Sequence, residues 1–201
     1  MPRPNWFFAF PLEGSFVDEL TGMPAGFRRY HADDVHLTLT FLGGCGEEAA
    51  LRALAVLDQI LPASGARPIT VSLGEIAPMG PPGRYSALSA LLGRGREETE
   101  ALIARLRDPL SEAAIGRREK RAPKAHVTLG RPMLRATDAH RRAGLAWARA
   151  TDLTAVERTL DRIALYTWHD NRRERLFKIV AERSLSGTGE HRSKSTPGDS
   201  V

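Results

Sequence analysis

One four-residue pattern occurs twice in this sequence of 201 residues, and the two copies begin 90 positions apart. The first copy reads His-Leu-Thr-Leu over 36–39, and the second reads His-Val-Thr-Leu over 126–129. Each copy alternates polar with aliphatic residues, as a strand with one buried face does. A helical pattern lies on both sides of each copy. The spacing therefore predicts a duplicated unit, with one copy of the pattern in each half of the domain.

The alternation also predicts where the side chains point. Residues i and i+2 of a strand share a face, so His36 lies beside Thr38, and His126 lies beside Thr128. The aliphatic residues between them point to the opposite face, where helices can cover them. If an approximate two-fold axis relates the two halves, both histidine–threonine pairs border one cleft.

The predicted elements alternate between strands and helices, and several strands are close enough in sequence to pair antiparallel. This order favours an α+β fold with two pseudo-symmetric lobes, whose antiparallel sheets line a central cleft and whose helices lie outside. We predict strands over 5–12, 35–42, 68–77, 84–92, 126–131, 154–166 and 175–182. We predict helices over 13–22, 47–61, 96–107 and 137–149, and a further helical piece that begins at Asp108-Pro109.

Residues 1–185 are expected to form a single bilobal domain, and residues 186–201 a disordered tail. The tail consists mainly of Gly, Ser, Thr, Pro and charged residues, which bury too little apolar surface to become ordered. Segments 23–34 and 116–125 are expected to be loops, the second of them basic.

The composition gives only weak information about the partners and the cellular compartment of the protein. The formal net charge of +5 is compatible with a polyanionic partner but is weak evidence for one. Cys45 is the single cysteine, so no disulfide can form within the chain, which suits a reducing compartment. The sequence contains no apolar run of transmembrane length and no secretory leader pattern. We therefore expect a cytoplasmic protein that does not contact a membrane.

Two imidazoles across a cleft suit phosphoryl transfer. An in-line displacement at phosphorus needs a base on the entering oxygen and an acid on the leaving oxygen, and histidine titrates near neutral pH. Threonine hydroxyls can donate hydrogen bonds to the non-bridging oxygens. The residues alone leave open which histidine is the acid and which is the base.

The two patterns and their flanks carry a family resemblance. HLTLTFLG at 36–43 and HVTLGR at 126–131 resemble the two signature motifs of the two-histidine phosphoesterases. Within that superfamily they are most similar to the LigT-like RNA 2′,3′-cyclic phosphodiesterases, also called 2′-5′ RNA ligases. NWFFAFPL at 5–12 resembles the first strand of that family, and the segment over 165–185 resembles its final hairpin.

The resemblance implies hydrolysis of a 2′,3′-cyclic phosphate to a 2′-phosphate, with no metal and no other cofactor. RNA ends or cyclic nucleotides would be the substrates, and the reverse reaction would join RNA ends through a 2′-5′ bond. By analogy with the family, His36 is the proton donor and His126 is the proton acceptor. Thr38, Thr128 and Arg131 would bind the phosphate. We expect the enzyme to be a monomer.

Other interpretations remain open at this point. The chain could be a two-histidine esterase for another cyclic or 2′-5′-linked nucleotide, or an RNA-binding module without catalysis. His31, Asp33, Asp34 and His36 could be read as a metal cluster, but an H-x₄-H spacing from a loop into a strand does not converge naturally on one ion.

Two further groups have competing interpretations. The basic residues of the loop over 117–124 are either solvated or in contact with the RNA backbone. Phe41 has the same strand parity as Leu39, so unbroken alternation predicts that it packs in the core. His140 and His169 are expected to be exposed.

Overall fold

The computed structural model describes residues 3–81 and 83–185, which contain nine strands and four α-helices. The strands are β1 (Trp6–Pro11), β2 (Phe27–Arg29), β3 (His36–Gly43), β4 (Ile69–Pro78), β5 (Leu88–Leu92), β6 (His126–Pro132), β7 (Glu157–Leu160), β8 (Arg162–Trp168) and β9 (Phe177–Ser184). The helices are α1 (Phe16–Glu19), α2 (Glu47–Ile60), α3 (Arg96–Ile115) and α4 (Asp138–Ala150). Two short 3₁₀ helices cover Ala32–Asp34 and Pro62–Ser64.

The strands form one sheet in the order β7-β4-β5-β6-β3-β1-β8-β9, and β2 pairs with β6. Every strand pair is antiparallel. Only Asp161 separates β7 from β8 in the chain, although these strands lie near opposite ends of the sheet order. The sheet must therefore curl until its two ends approach each other.

The sheet order is pseudo-symmetric about its centre. The two motif strands, β3 and β6, are neighbours there. Beyond β3 lie β1, β8 and β9, and beyond β6 lie β5, β4 and β7. Each motif strand is thus the innermost of four, which confirms the predicted α+β fold with two related lobes.

Helices cover one face of this sheet. Helix α3 packs against α2 and β3, and α4 packs against β4. Phe8, Phe10, Leu37 and Val127 are all fully buried in the resulting core. A second, smaller apolar cluster of Phe7, Ala9, Ala164 and Tyr166 forms on the opposite face of the sheet. In the described part of the chain, no helix is both long enough and apolar enough to span a membrane.

Helix α3 contradicts one sequence prediction. It runs unbroken from Arg96 to Ile115 with Pro109 inside it, so Asp108 does not begin a new helix. Leu106 and Leu110 are spaced one turn apart and are almost fully buried. Their packing in the core outweighs the hydrogen bond that proline cannot donate.

Several predicted boundaries also differ from the structure. The strand predicted over 154–166 divides into β7 and β8, because Asp161 marks the point where the chain moves from one end of the sheet to the other. The loop predicted over 23–34 contains β2, which is only three residues long and gains its stability by pairing with β6. The tail predicted over 186–201 lies outside the described residues.

Candidate functional site

The two histidine–threonine motifs meet at the centre of the sheet. Leu37 of β3 pairs with Val127 of β6, so the second residue of one motif faces the second residue of the other. Both of these side chains are fully buried in the core. The antiparallel register through this pair places His36 across from Thr128 and Thr38 across from His126. The four polar side chains therefore share the face of the sheet opposite the core.

This register makes His36 and His126 diagonal neighbours. The Cα atoms of diagonal neighbours on one face of a regular antiparallel pair are about 7–8 Å apart. This separation leaves room for one phosphate between the two imidazoles. Thr38 and His126 line a common groove of about 1040 Å³ that continues from this face. The geometry can therefore place an acid and a base on two sides of one phosphorus atom.

Each motif histidine is held by a main-chain carbonyl two residues before it. Nδ1 of His36 lies 2.7 Å from the carbonyl oxygen of Asp34, and Nδ1 of His126 lies 2.6 Å from that of Lys124. Because a carbonyl oxygen only accepts, Nδ1 of each ring carries the proton and donates it. Each neutral imidazole then has its lone pair on Nε2, where it can accept a proton from a bound molecule.

His36 lies in an aromatic environment on the apolar side of the site. The rings of Phe7, Phe177 and Tyr166 lie 4.9, 5.4 and 5.5 Å from its imidazole, measured between centroids. Its side chain is buried, and this burial lowers the pKa of His36 to about 4. Burial is the largest cause of this lowering; the hydrogen bond to the Asp34 carbonyl opposes it, and the charges of Arg131 and His126 contribute to it. His36 is therefore neutral near pH 7 in the free protein.

Asp34 positions His36, and the sequence analysis missed this role. Its buried carboxylate accepts hydrogen bonds from the amides of Leu176 and Phe177, at 2.8 and 3.1 Å. This carboxylate ties the start of β3 to the β8–β9 hairpin, and the Phe177 ring then packs edge-on against His36. A lone aspartate before a strand carries no sequence signal for such a contact.

The acidic segment before β3 forms local contacts. Nδ1 of His31 accepts a hydrogen bond from the amide of Asp33, and Arg175 bonds to the carbonyl oxygen of Asp33. Both carboxylate oxygens of Asp34 are used by the hairpin amides. Across residues 3–81 and 83–185, no three His, Cys, Asp or Glu side chains cluster in a way that could hold a metal ion.

Both motif strands contain a β-bulge at the fourth motif residue. On β3, Thr38 pairs with Ala9 and Thr40 pairs with Phe8, so Leu39 is the extra residue. On β6, Thr128 pairs with Ser89 and Gly130 pairs with Leu88, so Leu129 is the extra residue. An extra residue shifts the side-chain alternation by one position. The sixth residue of each motif consequently points to the same face as the histidine.

This shift overturns the prediction for Phe41, the sixth residue of the first motif. Phe41 pairs with Phe7, which belongs to the cluster on the histidine face, and its side chain is 57% exposed. It lines the groove beside Thr38. The core position predicted from unbroken alternation is therefore wrong.

Arg131 is the sixth residue of the second motif. The bulge at Leu129 turns its side chain toward the histidine face. Its guanidinium carbon lies 5.8 Å from the centre of the Tyr30 ring. The positive charge of Arg131 lowers the pKa of His36. Arg131 can therefore approach an anion bound beside His36.

Comparisons with known proteins identify the fold. No family model and no curated protein sequence matches the chain. Among solved structures, TT0787 of Thermus thermophilus is 20% identical with a TM-score of 0.68, covering 92% of this chain and 100% of that one. E. coli LigT complexed with 3′-AMP is 18% identical with a TM-score of 0.66, covering 92% and 99%. Usb1 of Kluyveromyces marxianus is 13% identical with a TM-score of 0.53, covering 90% and 96%.

The chain has the LigT-like fold. The comparison confirms the predicted resemblance at the level of the fold.

Within this LigT-like fold, Ser89 is a second residue that sequence analysis did not identify. It is fully buried, pairs with Thr128, and its hydroxyl lies 3.4 Å from the Thr128 hydroxyl. The equivalent neighbour of Thr38 on the other side of the sheet is Ala9, which has no polar side chain. Thr128 is therefore oriented by a side-chain partner that Thr38 lacks at this position.

Proposed function

We propose that this chain is an RNA 2′,3′-cyclic phosphodiesterase that hydrolyses 2′,3′-cyclic phosphate ends to 2′-phosphates by paired-histidine acid–base catalysis. The observation that carries this proposal is the pairing of the two motifs across β3 and β6. It gives His36 and His126 one shared face and fixes Nδ1 of each ring on a carbonyl oxygen. Phosphoryl transfer through a cyclic diester requires such a pair of proton-transfer groups.

In the proposed reaction, a water molecule attacks the phosphorus of the cyclic diester, and Nε2 of His126 accepts its proton. The bond from phosphorus to the 3′ oxygen breaks, and Nε2 of protonated His36 donates a proton to that oxygen. The product carries a 2′-phosphate and a free 3′-hydroxyl. The hydroxyls of Thr38 and Thr128 and the guanidinium of Arg131 hold the non-bridging oxygens.

The exposure of the two histidines supports this division of roles. His126 is only partly buried and lines the open groove, so water can reach its Nε2 atom. His36 is enclosed by aromatic rings and is 8% exposed, which suits a donor that delivers its proton to the leaving 3′ oxygen rather than to water. Since the pKa of free His36 is about 4, the negative phosphate must raise that pKa on binding, as an adjacent opposite charge does.

Ligation would use the same groups. A 5′-hydroxyl in place of water would exchange one phosphoester bond for another, so we include 2′-5′ RNA ligation as a second, reversible activity. The solved structures of E. coli LigT contain 3′-AMP in one case and ATP in another, which supports a nucleotide as the bound class.

The direct test is turnover of a 2′,3′-cyclic mononucleotide, followed by phosphorus NMR. We expect the wild-type chain to release the 2′-phosphate alone, because the 3′ oxygen is the leaving group. His36→Ala and His126→Ala should each lower kcat by at least about a hundredfold while the far-ultraviolet circular dichroism is kept. His169→Ala changes a half-buried histidine on the β8–β9 turn, outside the groove. It is the matched control and should retain full activity. Full activity in either motif variant would refute the mechanism.

A substrate panel separates the alternatives. Cyclic mononucleotides, ADP-ribose cyclic phosphate and 2′-5′ dinucleotides should be compared in the same assay. Preference for either of the last two would move the assignment to another two-histidine esterase, and RNA binding without any turnover would indicate a binding module. Activity should survive EDTA; loss that zinc or manganese restores would contradict a metal-free mechanism.

A further inference from the structure

The groove beside His126 extends well beyond the space that one phosphate needs. Thr38 and His126 lie in it on the side of the motif strands, and α3 and the loop over 117–124 form its other walls. Its volume is about 1040 Å³. Pockets for small ligands measure about 300–1,000 Å³. The groove can therefore hold more of a substrate than its reacting end.

The lining of this groove is strongly basic. Six cationic side chains and one carboxylate border it, giving a formal charge of +5, which equals the net charge of the entire chain. The cations are Arg107, Arg117, Arg118, Lys120, Arg121 and Lys124, and the carboxylate is Glu119. The rest of the chain is thus formally neutral, and the positive charge is concentrated beside the catalytic face.

Some of these cations are already paired, and others are not. Arg118 pairs with Glu112, and Arg121 pairs with Glu119. Arg117 and Lys120 are exposed and form no ion pair with any residue of the described ranges. These unpaired charges are free to contact an anion in the groove.

The basic loop over 117–124 is held by hydrogen bonds from α3. Helix α3 ends at Ile115, and the next residue is Gly116, whose φ of 65° favours glycine. The basic loop follows directly. The guanidinium of Arg107, on α3, donates hydrogen bonds to the carbonyl oxygens of Arg121 and Glu119, at 2.8 and 3.3 Å. This bracing keeps the loop at the edge of the groove.

Phe41 adds an aromatic surface to the same groove. Its ring is 57% exposed, and the bulge at Leu39 directs it to the histidine face. Proteins that bind single-stranded nucleic acids combine a basic groove, which follows the backbone, with aromatic rings on which bases stack. The groove contains both of these components next to His126.

We propose that this groove binds the single-stranded RNA that leads to the cyclic phosphate, with Arg117 and Lys120 on backbone phosphates and Phe41 stacked on a base. The inference rests on the proposed function and deepens it. The preferred substrate is an oligonucleotide with a cyclic phosphate end, and a cyclic mononucleotide uses only the histidine–threonine face.

The test compares kcat/KM for a 2′,3′-cyclic mononucleotide with kcat/KM for a hexaribonucleotide that ends in the same group, from 50 to 300 mM KCl. The double variant Arg117→Gln/Lys120→Gln should lower kcat/KM for the hexamer about tenfold at low salt. It should also reduce the slope of log kcat/KM against log salt by about 1.4, which is two single-strand contacts. Turnover of the mononucleotide should change by less than about twofold.

Two further variants sharpen the test. Phe41→Leu, which keeps an apolar side chain but removes the ring, should lower hexamer kcat/KM about tenfold and spare the mononucleotide. Arg142→Gln/Arg149→Gln removes two exposed cations from α4, outside the groove, and should leave both substrates unaffected.

The outcomes separate this inference from the proposed function. Equal salt dependence for the two substrates, or a double variant that leaves the hexamer unaffected, would overturn the docking of RNA while the hydrolase assignment stands. If the wild type hydrolyses neither substrate, the proposed function fails. Fluorescence anisotropy with a labelled, non-cyclic hexamer then decides the docking alone, since affinity must still fall in Arg117→Gln/Lys120→Gln.

Discussion

Asp34 is bonded to His36 through its main chain and supports the same imidazole through its side chain. Its carbonyl oxygen accepts a hydrogen bond from Nδ1 of His36, and its carboxylate accepts hydrogen bonds from the amides of Leu176 and Phe177. Asp34→Asn replaces one of the two carboxylate oxygens, which accept hydrogen bonds from the Leu176 and Phe177 amides, with an NH₂ group that cannot accept one. We expect the free energy of unfolding to fall by about 1–3 kcal/mol, measured by urea denaturation at pH 7.

The neighbouring aspartate supplies a control for this change. Asp33 is exposed and pairs with His31 and Arg175 at the surface, so Asp33→Asn should change the free energy of unfolding by less than about 0.5 kcal/mol. Equal destabilisation by the two variants would show that the buried carboxylate has no special role in holding the hairpin against His36.

Arg131 has two separable effects on the proposed reaction. Its guanidinium can hold the phosphate, so Arg131→Gln should lower kcat/KM for a cyclic mononucleotide roughly a hundredfold. Its charge also lowers the pKa of His36, so the same variant should move the inflection that His36 causes in the profile of kcat/KM from about pH 4 to higher pH. Arg29→Gln, at an exposed position on the adjacent β2 strand, should produce neither effect.

An arginine that acted only on stability would lower activity without moving the inflection that His36 causes in the pH–rate profile. The contrary result is therefore a loss of kcat/KM in Arg131→Gln with no shift of the His36 inflection, which would show that the charge of Arg131 does not act on His36.

The sequence predicted the histidine–threonine face because two-residue alternation is a property of the strand itself. It placed His36 and Thr38 on one face and Leu37 on the other, and the structure agrees. The prediction from alternation failed at Phe41 because of the bulge at Leu39. A bulge is set by pairing with the neighbouring strand, and the sequence pattern does not show where it occurs.

Long-range contacts explain the other differences. Pro109 predicts a helix boundary, but α3 continues past it because Leu106 and Leu110 are buried in the core on either side of it. The role of Asp34 depends on the hairpin 142 residues later in the chain, which local patterns do not reveal. Motif position could be predicted, whereas the partners that orient the motif could not.

The low pKa of His36 predicts an unusual pH–rate profile. The profile of kcat/KM reports the free enzyme, and there burial lowers the pKa of His36 to about 4. As the proton donor, His36 must be protonated, so the fraction of competent free enzyme falls as pH rises through its pKa. We expect the inflection that His36 causes to lie near pH 4 in the profile of kcat/KM and at higher pH in the profile of kcat, because the bound phosphate favours the protonated imidazole. Stopped assays of a cyclic mononucleotide from about pH 3.5 to 9 measure both. A profile of kcat/KM with no inflection near pH 4 would contradict the burial of His36 in the free protein.

The same shift links folding to pH. In the unfolded chain His36 has the ordinary pKa of 6.5, and in the folded chain its pKa is about 4, so the unfolded chain binds more protons between these values. The free energy of unfolding must therefore fall as pH drops from about 6.5 to about 4. The shift accounts for about 3 kcal/mol of that decrease.

Comparison with a variant isolates this contribution. His36→Gln removes the titrating group, so the wild-type free energy of unfolding minus that of the variant should decrease by about 3 kcal/mol between pH 7 and pH 4. Urea denaturation at intervals of half a pH unit measures this decrease. His169→Gln, which alters a histidine on the β8–β9 turn, is the control and should parallel the wild type throughout. If the difference in the free energy of unfolding between the wild type and His36→Gln stays constant over the pH range, the imidazole of His36 is accessible to protons in the folded protein. That result would contradict the enclosed proton donor proposed for the reaction.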